Sequence, residues 1–97
     1  MLPACGGKIL EIMNTIEFYK FAVEAAKNRG YEKPSVTTIS GCYNGDVKHS
    51  CQLWDNDKHK HINSGLHGNP VAAIQAFKDA IEFHNKTYAD YVQAVEP

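Results

Sequence analysis

Asn44-Gly45-Asp46 constrains this chain more than any other segment. Asn and Gly both tolerate positive φ, which a tight hairpin turn demands. The run before it, Ser35–Tyr43, holds Val36, Thr37, Thr38 and Ile39, all suited to a pleated surface. The run after it, Lys48–Trp54, alternates: Cys51 and Leu53 share one face, Gln52 and Trp54 the other. A second turn, Asp55-Asn56-Asp57-Lys58, predicts a third strand over His59–Leu66. With Asn56-Asp57 at its centre, Cys51 lies opposite Ile62 and one sheet face is apolar. The other face carries Gln52, Trp54, His59 and His61.

Helical periodicity flanks this sheet on both sides. The first helix is predicted over about Thr15–Arg29. Asn14 is its N-cap, and Glu17 three residues on completes a capping box. Phe18, Phe21, Ala22, Ala25 and Ala26 recur at helical spacing and mark its buried face. Gly30 supplies the stop, and Lys27 and Arg29 sit at the negative end of the helix dipole. The second helix opens at Asn69 with Pro70 at its first position, where the missing N–H costs nothing. Ala73, Ile74, Phe77, Ala80 and Ile81 form its stripe, and Lys78, Asp79 and Glu82 face water. The pattern weakens at His84–Lys86. Tyr88, Tyr91, Val92 and Val95 then predict a third short helix or a kinked continuation.

The fold class is therefore α+β: a three-stranded antiparallel sheet with flanking helices, in the order α-β-β-β-α plus a short C-terminal helix. A length of 97 residues suits a single domain over residues 13–97. Residues 1–12 read as a flexible tail broken by Pro3, Gly6 and Gly7, with Met13 an alternative start. The tail lacks the charged and apolar regions of a signal peptide. No apolar run approaches the ~20 residues that cross a bilayer. Three cysteines, an odd number, argue against a disulfide framework, so reduced thiols and a cytoplasmic location are expected.

Chemistry is sparse. Cys42, His49, Cys51, His59, His61 and His67 fall close together, but without CxxC or HxxxH spacing, and strand alternation divides them between faces. A thiol nucleophile needs an electropositive pocket and an orienting base, whereas Cys51 falls in the core. Asp55 and Asp57 flank a turn without the downstream Glu of a calcium loop. No paired acids or phosphate loop occur. No catalytic residue, metal or other cofactor is expected. A net charge of −1 leaves no basic field for direct nucleic-acid binding, and Lys58-His59-Lys60-His61 is only a small basic patch.

Three likenesses follow from these residues. The element order resembles that of double-stranded RNA-binding domains. Their lysine-rich helix entry, however, is replaced here by Gly68-Asn69-Pro70-Val71-Ala72. From His49 to Phe83 the chain resembles the regulatory domain of 2-isopropylmalate synthases, on Gly68-Asn69-Pro70-Val71 followed by Ala73, Ala76 and Ala80. Ala72 stands where that family commonly has an acid. The likeness implies a βββα unit, paired as a dimer, without synthase activity. As a short, motif-free α+β chain with exposed acids, it is also similar to small phage and mobile-element inhibitors of the anti-CRISPR type.

These observations give a leading expectation and a runner-up. The first is a non-enzymatic protein-binding module, a phage-type inhibitor occluding a nucleic-acid-binding surface of a defence complex such as a CRISPR-type assembly. Its contacts are Glu17, Glu24, Trp54, Asp55, Asp57, Asp79 and Glu82, with aromatic anchors giving affinity and charges steering encounter. The protein acts as a monomer or homodimer. The runner-up is a stand-alone dimeric domain that senses a small molecule.

Overall fold

Helix α1, Thr15–Lys27, starts as its sequence dictates. The Asn14 side chain accepts the Glu17 N–H at 2.8 Å, and Glu17 accepts the Asn14 N–H at 3.1 Å. The helix ends at Lys27, short of the expected Arg29, and Gly30 closes the turn that follows with a φ of 103° that few other residues adopt. There the Gly30 N–H reaches the Lys27 carbonyl and the Tyr31 N–H reaches the Ala26 carbonyl, as in a Schellman motif. This computed structural model describes residues 14–95, so the expected tail at residues 1–12 lies outside the described residues.

Strands β1 (Ser35–Tyr43) and β2 (Asp46–Asp55) form the predicted hairpin. Asn44 and Gly45 take φ of 54° and 85° at its turn, and pairing runs from Tyr43 opposite Asp46 to Ser35 opposite Trp54. Strand β3 is shorter than expected, Lys60–Asn63. Its register also differs: Ile62 lies opposite Leu53, not Cys51. The cause is Asp55, whose carboxylate accepts the Lys58 N–H at 3.0 Å and lengthens the turn. His59 then enters the left-handed region at φ 53°, so it belongs to the turn and not to the sheet face. A two-residue shift preserves facing, so Cys51, Leu53 and Ile62 still share the covered side. Beyond β3 the chain breaks at Gly65, φ 81°, and returns to β2 through a bridge between His49 and His67.

Helix α2, Pro70–Val95, is continuous, so the expected separate third helix does not occur. Asn69 caps it by accepting the Ala72 N–H at 2.8 Å. The side chains of the second stripe at Tyr91, Val92 and Val95 lie outside the described residues. Both helices cover one sheet face, α1 over β1 and α2 over β2 and β3. The core joins Phe18, Ala22, Ala25 and Ala26 of α1 to Cys51, Leu53 and Ile62 of the sheet and Ala73, Ile74, Phe77 and Ile81 of α2. Phe21 departs from expectation. It lies on the flank of the α1 stripe and is 53% exposed. The fold is thus a small α+β domain in the order α-β-β-β-α.

Candidate binding groove

Asp55 is the organising polar residue, and it points inward at 1% exposure. One carboxylate oxygen accepts the Lys58 backbone N–H. The other accepts the Tyr31 hydroxyl at 2.7 Å and lies 3.2 Å from His84 Nε2 and 3.3 Å from Lys58 Nζ. Tyr31 also contacts Asn85 Oδ1 at 3.1 Å. Burial alone would raise the Asp55 carboxyl. The bonds from Tyr31 and Lys58, together with the Lys58 charge, outweigh it and bring the group down to about 2. Burial and the neighbouring carboxylate push the Tyr31 phenol well above its ordinary value.

This cluster explains the weak apolar pattern at His84–Lys86. There α2 meets a buried carboxylate, so its contact residues are His84 and Asn85. The Schellman stop of α1 places Tyr31, the long second turn places Lys58, and one turn of α2 places the other two. The cluster ties four segments together and encloses its carboxylate.

Beside it lies a groove of about 620 Å³ between β3 and α2. One wall is Lys60, His61, Ile62 and Asn63, the whole of β3. Strand alternation sends neighbours to opposite faces, so a wall made of all four consecutive residues presents the strand's outer edge. Among the described residues β3 pairs with β2 alone. The other wall is the flank of α2: Ala80, Phe83, His84, Thr87 and Tyr88. Phe83 is 72% exposed, and Tyr88 lies under the Lys58 ammonium at 4.8 Å.

The residues expected to contact a partner do not gather into one surface. Glu17 is spent on the capping box. Glu24 is exposed farther along α1. Asp79 accepts from Gln75 at 3.1 Å, and Glu82 pairs with Arg29 at 2.8 Å. Asp55 is not an outward acid at all, because its turn folds over it. Trp54 and Asp57 do come together, lining a shallow hollow with Tyr31 and Pro34. Trp54 stands on the uncovered sheet face, edge-to-face with His61 at 5.4 Å and with His59 at 6.3 Å. Sequence reasoning missed Phe83, Tyr31, His84 and Asn85. For His84 and Asn85 the signal was the polar interruption in the α2 stripe; Tyr31 and Phe83 had none.

Among the described residues no group of three or more His, Cys, Asp or Glu could hold a metal ion. His49 bonds Ser40 Oγ at 2.8 Å and His67 Nε2 bonds the Ser64 carbonyl at 2.8 Å. Burial pushes the Cys51 thiol up to about 12. Cys42, expected as a reduced thiol, is disulfide-bonded. It lies at the exposed end of β1, where an odd cysteine count could not reveal a pairing. No helix among the described residues is long and apolar enough to cross a membrane. No protein-family model, curated protein or solved structure matches this chain.

Proposed function

We propose that this protein is a non-enzymatic protein-binding module that takes an extended segment of its partner into the groove between β3 and α2. The observation that carries this reading is an open strand edge facing an exposed aromatic helix flank. The edge supplies backbone donors and acceptors at strand spacing, and Phe83 and Ala80 supply an apolar wall. Addition of a strand to a sheet edge uses that combination, with backbone bonds giving affinity and side-chain contacts giving choice. The enclosed Asp55 cluster serves as the scaffold that holds the two walls in place.

The expected inhibitor could work through such a groove by occupying a segment that its target needs. Occlusion by outward acids has less to rest on. Glu17, Glu24, Asp57, Asp79 and Glu82 are spread over two helices and a turn, among Lys20, Lys27 and Lys78. One observation favours the small-molecule sensor as a second reading: the groove volume falls in the range of ligand pockets.

The test is affinity capture from bacterial lysate with the full chain and its Phe83→Asp variant as parallel baits. The binding-module reading predicts a protein retained by the first and lost by the second, with β3 amides protected from hydrogen exchange in the complex. A protein retained equally by both baits, with β3 exchange unchanged, contradicts it. Small-molecule sensing instead predicts no protein and a melting temperature that rises with a metabolite.

A further inference from the structure

Resting on that reading, we infer that the groove selects an acidic segment, with a carboxylate beside Lys60 and a large apolar side chain beside Phe83. The walls differ along their length. Lys58 stacks on Tyr88 and His84 holds Asp55, so the C-terminal part of the α2 wall faces the turn and the start of β3. Lys60 pairs opposite Asp55 and shares a sheet side with Ile62, so alternation directs its side chain toward the α2 side of the groove. It is exposed there.

The groove therefore gathers Lys58, Lys60 and His84 near the turn, and among the described residues no carboxylate lines it. Asp55 lies behind it, facing inward and fully engaged. Next to these basic groups along the groove lie Ile62, Ala80 and Phe83, an apolar stretch flanked by His61, Asn63 and Thr87. An occupant matched to both features carries negative charge beside Lys60 and covers Phe83 with an aliphatic or aromatic group.

The dimensions favour a chain over a compact solute. Four residues of β3 extend about 13 Å at strand rise. The α2 wall from Ala80 to Tyr88 extends about 12 Å at helical rise. The two walls match in length, and each spans about four residues of an extended peptide. A basic segment is disfavoured by Lys60, which repels like charge, whereas the Lys58 charge is already paired with Asp55.

The test is selection of a random peptide display library on the immobilised full chain, followed by anisotropy titration of the enriched peptides as synthetic probes. The expected result is enrichment of Asp or Glu a few residues from Leu, Ile or Phe. Replacing the acid with its amide should weaken binding about tenfold, as for loss of a charge-assisted hydrogen bond. Lys60→Glu should weaken the acidic peptide to a similar degree and leave its amide analogue unaffected. Circular dichroism of each variant checks that the fold is intact. Peptides that require Phe83 but are indifferent to the acid and to Lys60 overturn the selectivity and leave the groove reading standing. Peptides that bind Phe83→Asp as well as the parent overturn both. A concentration-dependent dimer dissociated by Phe83→Asp shows a second copy in the groove and overturns the acidic partner. Absence of any enriched peptide overturns it as well.

Discussion

Replacing Asp55 with Asn removes the negative charge on which Tyr31, Lys58 and His84 converge, at nearly constant volume. The folded carboxyl stands at about 2 against an ordinary 3.8. Because the folded value is the lower one, the stabilisation is complete above the unfolded value and is lost as pH falls through the folded value. At neutral pH that difference amounts to about 2 kcal/mol, and at pH 3 about half of it remains. The amide also turns a donor toward donors at Lys58 and His84, so the expected cost at pH 7 is about 2–4 kcal/mol. Urea titrations of both proteins at pH 7, 5, 4 and 3, followed by far-ultraviolet circular dichroism, read the effect. The gap should be constant from pH 7 to 5 and shrink below pH 4. A variant within about 0.5 kcal/mol of the parent at pH 7 refutes the lock, and so does a gap unchanged at pH 3.

Other outcomes follow from the same structure. Tyr31→Phe removes the hydroxyl that joins Asp55 to Asn85 and should cost about 1–2 kcal/mol in urea titration. It should also move the acid limb of the stability curve to higher pH, because the carboxyl loses a donor. Phe77→Ala empties a fully buried site between helix and sheet and should cost about 3–5 kcal/mol. Phe83→Ser alters an exposed ring and should change stability by no more than about 0.5 kcal/mol while abolishing partner capture. Cys51, buried and with its thiol pushed up to about 12, should resist an aromatic disulfide reagent in native buffer and react promptly in denaturant.

Most of the fold was legible because local signals agreed with one another. Asn14, Glu17 and Gly30 bounded α1. Asn44-Gly45 fixed the hairpin. Asn69-Pro70 opened α2. What could not be read was set by contacts distant in sequence. The β3 register depended on Asp55 turning inward, which in turn needed Tyr31, His84 and Asn85 from elements outside the hairpin. The same contacts made α2 continuous where its apolar stripe lapsed. The groove was illegible for a related reason. Phe83 looked like any other apolar helix residue until the short β3 left it facing an open edge, whereas Glu17, Asp79, Glu82 and Asp55 were spent on a cap, two pairs and the buried lock.

The most direct test of the central claim is amide mapping by NMR of the 15N-labelled full chain with a peptide enriched on it. The account predicts shifts and new exchange protection along Lys60–Asn63, with cross-strand contacts from those residues to the peptide and side-chain contacts at Phe83 and Lys60. Perturbations confined to α1 or to the Trp54 face, with β3 unchanged, would contradict it.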